Sequence, residues 1–237
     1  MSNTHRVKPT TLRFFNEVAE PALARVFTPT TLRALRALGA GVTMGLLDRS
    51  PARARLIREL TDQGVPVGAW LLLPRADGYF ATHDNFALIE ALVTQTLDWA
   101  RAEGLTFEAL GFDFEPALSA LEALMRTPLP TFARWSWRAR DATRWQAAHT
   151  EYGRFIARIR EAGARVETYQ FPLVLADRAA KGSLWQRIAG GLDVASDREV
   201  TMLYSSLLGV SGPGLIERLA PRCQAIGVGS TIGRAHV

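Results

Sequence analysis

Apolar runs of strand length alternate with amphipathic runs of helix length over most of this chain. Leu12 to Val18 reads as a first strand, Val42 to Asp48 as a second and Pro66 to Leu73 as a third. Thr28 followed by Pro29 forms a helix start, because a threonine caps the free amides and a proline fits the first turn. Leu32, Leu35 and Leu38 then repeat at helical spacing, and Gly39 closes the helix. Ser50 and Pro51 open a second helix with Leu56, Ile57 and Leu60 on one face and Gly64 at its end. A long helix starts near Asn85, carries Leu88, Leu92, Val93, Thr96 and Trp99 on one stripe, and stops at Gly104. The fourth strand lies in Glu108 to Pro116.

The rhythm changes after Pro116. Ala117 to Arg126 predicts a short helix, and Pro128 and Pro130 then break the chain. Trp135, Trp137 and Trp145 follow among several arginines, and a second long helix runs from about Trp145 to Ala162. Arg165 to Leu173, Glu199 to Ser206 and Gln224 to Ser230 read as strands five to seven, with no convincing eighth. Strands reached through helices predict a parallel sheet. The fold expected is α/β, a TIM-type (β/α) barrel that is incomplete or has a degenerate last strand. It forms a single domain over residues 1–237, with an insertion at about 117–150 over the mouth. A doubly wound sheet would suit the pattern almost as well, but no Gly-x-Gly-x-x-Gly follows the first strand and no Walker sequence occurs.

Composition narrows the function classes. The chain has 237 residues, 48% hydrophobic and 22% charged, as in ordinary globular proteins. Its formal net charge of +5 comes almost wholly from arginine, since Lys8 and Lys181 are the only lysines. The arginines are spread along the helices, and the expectation is no nucleic-acid partner. No apolar run is long enough to span a membrane, so no membrane partner is expected either. Met1 to Thr11 is polar without the apolar core of a signal peptide, which fits a cytoplasmic protein or a trimmed secreted one. A lone Cys223 excludes an internal disulfide and a thiolate metal site. His5, His83, His149 and His236 lack metal-ligand spacing. Neither a cofactor nor a resident metal is called for.

In a parallel barrel the working face lies at the carboxyl ends of the strands. Those ends supply Asn16 and Glu17, Asp48 and Arg49, Trp70, Asp113 and Glu115, Tyr169 and Gln170, Tyr204 and Ser205, and Ser230. The strand starts are plain by contrast: Val42, Val67, Val166 and Val200. The run Glu108-Ala109-Leu110-Gly111-Phe112-Asp113-Phe114-Glu115-Pro116 is the most informative. Alternate strand side chains share a face, so Asp113 and Glu115 point the same way, about 7 Å apart along the chain. Burial and mutual repulsion should push at least one of them upward, which keeps a proton available for general acid catalysis.

Leu110-Gly111-Phe112-Asp113-Phe114-Glu115-Pro116 resembles the fourth-strand signature of the family 18 chitinase-like glycoside hydrolases, Asp-x-x-Asp-x-Asp-x-Glu. It is also similar to the shorter Asp-x-Glu of the family 25 lysozyme-like barrels. The resemblance implies that Glu115 protonates the glycosidic oxygen and that Asp113 orients and stabilises the substrate. It further implies substrate-positioning roles for Tyr169 and for Tyr204 in Met202-Leu203-Tyr204. The chain departs from the longer pattern where its first two aspartates fall on Glu108 and Gly111, and no tryptophan stands in the last strand.

The function expected is therefore cleavage of glycosidic bonds in a polysaccharide or glycoconjugate, with a carbohydrate partner. Glu115 and Asp113 act in catalysis. Tyr169, Gln170, Tyr204, Trp70, Asn16, Glu17 and Asp48 contact the substrate, with Glu17 or Asp48 as a spare carboxylate. Two alternatives stay open: a carbohydrate-binding barrel without catalysis, and a metal-dependent lyase or phosphodiesterase using Asp113, Glu115 and Glu17 as oxygen ligands.

Overall fold

The computed structural model describes residues 12–204 and 212–229. Seven parallel strands form one sheet in chain order. They are β1 (Arg13–Asn16), β2 (Gly41–Gly45), β3 (Val67–Leu71), β4 (Leu110–Phe114), β5 (Val166–Gln170), β6 (Arg198–Met202) and β7 (Ala225–Gly227). The sheet curls into a half-barrel: Phe15 of β1 reaches across to meet Trp70 of β3 and Tyr169 of β5 edge-on, at ring-centroid distances of 5.6 and 5.0 Å. Among the described residues β1 pairs only with β2 and β7 only with β6. These two edges leave Leu12, Phe14, Ile226 and Val228 exposed.

Helices α1 (Glu20–Val26), α2 (Pro29–Ala37), α3 (Pro51–Asp62), α4 (Phe86–Glu103) and α7 (Thr143–Glu161) accompany the first five strands. Two of the predicted caps form. The Thr28 hydroxyl accepts from the Thr31 amide at 3.2 Å, and the Ser50 hydroxyl from Arg53 at 3.2 Å. Gly104 ends α4 at φ +61, a conformation that a side chain would strain. The convex face of the sheet (Met44, Ala69, Leu71, Phe112 and Phe114) packs on Ile57, Ile89, Tyr152 and Ile156 of these helices. Burial on both faces explains the near-continuous apolar strands.

Several boundaries differ from the sequence expectation. The helix before Pro128 ends at Arg126 as expected, but the proline also opens a further helix, α6 (Pro128–Arg138), where a first-turn proline lacks only an amide that would go unbonded anyway. With α5 (Leu118–Arg126), α6 is inserted between β4 and α7. The fifth strand stops at Gln170, and Leu173 starts α8 (Leu173–Ala180) instead of ending a strand. Helices α9 (Leu184–Ala189) and α10 (Gly212–Leu219), like α1, have too short an apolar repeat to stand out in the sequence. No helix among the described residues is long and apolar enough to cross a membrane.

Candidate functional site

The concave face carries the chemistry. Trp70, Leu72, Tyr169, Val200 and Met202 alternate with the convex residues and cluster with Tyr79 and Phe80 from the loop after β3. The period of two that sends Phe112 and Phe114 into the helical layer sends Gly111, Asp113 and Glu115 to the concave side. At Gly111 an added Cβ would lie 2.2 Å from the Tyr169 hydroxyl, so the absent side chain is what admits the ring. The position that carries a carboxylate in the longer motif is filled here by a phenol.

Asp113 and Glu115 are 2% and 5% exposed. Burial raises the Asp113 carboxyl well above the usual range, and the charges of Glu115 and Glu17 push it further. The Trp70 indole N–H works the other way. Burial likewise raises Glu115, against a hydrogen bond shared with Asp113 and with the repulsion of Glu17. Both shifts favour the protonated form of the pair. Among the described residues no Arg, Lys or His forms an ion pair with either acid. Asp113 Oδ1 and Trp70 Nε1 are both buried without a well-formed protein hydrogen bond.

A roof of tyrosines covers the acids. The Tyr79 hydroxyl donates to Glu17. Burial and the Glu17 carboxylate push the pKa of this phenol strongly upward. Tyr204 is raised by burial and by the charges of Asp113, Glu115 and Glu17. Tyr79 sits at φ +71, a left-handed backbone that a bulky residue adopts only under constraint. Asn85 supplies much of that constraint. Its Nδ2 donates to the Phe80 carbonyl at 2.8 Å and to Asp77 at 3.2 Å, and its Oδ1 accepts from the Thr82 amide at 2.8 Å. The loop is also stitched to β4, since the Ala81 amide donates to the Asp113 carbonyl at 2.9 Å. Tyr79, Phe80 and Asn85 escaped the sequence reading because they lie in no periodic element. The asparagine marked a helix start, but its side chain serves the loop.

The structure brings Asp113, Glu115, Glu17, Trp70, Tyr169 and Tyr204 to one side of the sheet. Trp70 is mostly buried in the concave core, wedged edge-on against Phe15 and Tyr169. Tyr169 is fully buried and donates to Glu167 at 3.2 Å. Three candidates are not brought there. Gln170 follows Tyr169 and therefore faces the helices, where its Nε2 donates to the Leu192 carbonyl at 2.7 Å. Asn16 precedes Glu17 and is buried on the convex side by the same parity. Asp48 is held by Arg53, which donates from Nε at 3.1 Å and Nη2 at 2.6 Å, and by the Ser50 amide at 3.1 Å. Burial acts to raise Asp48, but those bonds outweigh it and hold it down to about 2. Ser205 and Ser230, at the ends of the sixth and seventh predicted strands, lie outside the described residues.

Two cavities open near this end of the sheet. One, of about 540 Å³, is lined by Glu17, Leu72, Arg75 and Tyr79. The other, of about 1170 Å³, lies between the loop before α4 and the α5–α6 insertion. Neither is lined by Asp113 or Glu115. No group of three or more His, Cys, Asp or Glu among the described residues is arranged to hold a metal ion. Against known proteins, the chain matches no family model and no curated sequence.

Proposed function

We propose that this chain is a glycoside-hydrolase-like barrel of the TIM type, open between its first and last strands, that cleaves glycosidic bonds by general acid catalysis. One observation carries the reading: two buried carboxyls at the carboxyl end of β4, both pushed upward by burial, have no ion-pair partner among the described residues. An acid that stays protonated near neutral pH can protonate a leaving oxygen. Glu115 gives up the proton. Asp113, left ionised once the proton has gone, stabilises the positive charge that grows at the anomeric carbon. Glu17 adds negative potential from β1, and the hydroxyls of Tyr79 and Tyr204 orient the sugar. The resemblance to the chitinase-like strand signature supports the same assignment.

Both acids are buried, so substrate reaches them only after a local movement, and the Tyr79 backbone, strained by about 1–3 kcal/mol, belongs to a loop that is bonded to β4 beside them. A second reading is a carbohydrate-binding barrel without catalysis. It is favoured by the two cavities, which bypass the acids. The deciding experiment sets wild type and Glu115→Gln against chromogenic glycosides and oligosaccharides. Cleavage by wild type that collapses in the variant supports the hydrolase, whereas binding with no cleavage by either protein selects the second reading.

A further inference from the structure

We infer that the larger cavity beside the acid pair is the binding groove for an acidic oligosaccharide, a chain of sugar rings bearing carboxylate groups. The inference rests on the carbohydrate reading above and specifies its substrate class. Its lining includes Pro116 and Ala117, the residues that follow Glu115, together with Gly78, whose carbonyl accepts from the Leu118 amide at 3.1 Å and which precedes Tyr79. The groove therefore adjoins the strand end that carries the acid pair.

The charge of the groove is one-sided. Arg134, Arg138, Arg140, Arg144 and Arg187 line it, against Asp77, Asp84 and Asp141. Of these arginines only Arg144 is neutralised, by Asp84 at 2.7 Å. Arg134, Arg138, Arg140 and Arg187 make no ion pair among the described residues. Arg187 is instead fixed in place, donating from Nη1 to the Ala139 carbonyl at 2.7 Å. Asp141 is engaged with the backbone, accepting from the Thr143 amide at 2.9 Å. Guanidinium forks without partners are suited to planar carboxylates, which they bind with two parallel hydrogen bonds.

Aromatic surface stands among those charges. Trp137 is 65% exposed, an unusual state for so large an apolar side chain. Trp145 is held rigid at the other wall, donating to the Gly191 carbonyl at 3.0 Å and stacking on His149 at 5.0 Å. Indole faces receive the C–H face of a pyranose, and neighbouring guanidinium groups receive its carboxylate. A nucleic acid would meet the same charges and rings, but the carbohydrate reading of the neighbouring acid pair favours a sugar acid, and an oligonucleotide is an outcome of the test.

The test measures binding of the full chain to an oligogalacturonate and to a neutral cello-oligosaccharide of equal length, by calorimetry at low and high salt. The acidic oligomer should bind about tenfold or more tightly than the neutral one, with the advantage shrinking in salt. Arg134→Ala with Arg138→Ala, both exposed positions on α6, should remove that advantage. Equal affinity for the two oligomers, or an advantage that survives the double substitution, overturns the inference. So does tighter binding of a single-stranded oligonucleotide that the same substitutions abolish. Cleavage of neutral glycans without acidic preference sinks this inference alone. Acidic preference in a protein that cleaves nothing sinks the hydrolase alone.

Discussion

The concave face has two ends, and both bury carboxylates. At the amino end of the strands, Arg13 lies under Gly41 and Gly68 and pairs with Glu108. Beside it Arg198 meets Glu167 at 2.9 Å, and Tyr169 donates to the same carboxylate. At the carboxyl end, Asp113 and Glu115 meet tyrosines, an indole and each other, with no guanidinium supplied. A buried carboxylate beside an arginine serves as a structural strut. A buried carboxylate without one keeps its proton and is poised to transfer it. The same residue type thus does two jobs within one lumen, and the neighbour decides which.

The largest effect should come from the unpaired end. Glu115→Gln should lower glycoside cleavage by about 10²–10⁴-fold, the usual worth of a positioned proton donor, while the melting temperature holds or rises. A steady-state assay beside a thermal melt separates the two; a variant as active as wild type removes Glu115 from the reaction. At the paired end the consequence is structural. Glu167→Ala leaves the Arg198 guanidinium without its partner and should cost about 2–3 kcal/mol in a denaturant titration, the low end for a broken buried pair because Arg198 keeps some contact with water.

Acidity should distinguish the two kinds of carboxylate by sign. Asp113 and Glu115 hold their protons more tightly folded than unfolded. Their contribution to stability is therefore full below the ordinary carboxylate range, about pH 4, and is lost as pH rises through their raised values. Asp48 runs the other way, because Arg53 and Ser50 hold it down to about 2. Its contribution is present above pH 3.8 and disappears as pH falls towards 2, by about 1 kcal/mol after allowing for its exposure. Stability curves of Asp113→Asn and Asp48→Asn should flatten the alkaline and the acid limb respectively; the reverse pattern would undo the comparison. The smallest effect concerns the roof. Tyr79→Phe removes one hydrogen bond to Glu17, should cost about 1 kcal/mol, and should leave the fold intact by circular dichroism.

Much of this was legible before the structure. Thr28 and Ser50 cap their helices as the sequence promised, and the alternation of strand and helix gave a parallel sheet in chain order. The acid pair on β4 could be placed because the period of two was applied to it. The same period separates Tyr169 from Gln170 and Asn16 from Glu17, so one member of each couple must face the helices. Asp48 looked like a site residue at a strand end, yet Arg53, five positions on in the next helix, turns back to claim it. Tyr79 and Asn85 depend on how a loop folds over its sheet, and no local repeat encodes that.

The intimate contact between Gly111 and the Tyr169 ring has a consequence for anyone who would re-engineer this lumen. A third acid grafted onto β4 cannot arrive alone, because the phenol already occupies its berth. The order of changes is forced: the ring on β5 must shrink first, and only then does a carboxylate at 111 have somewhere to go. Libraries that vary one of the two positions by itself will sample only dead ends, and the productive variants lie off the single-step path.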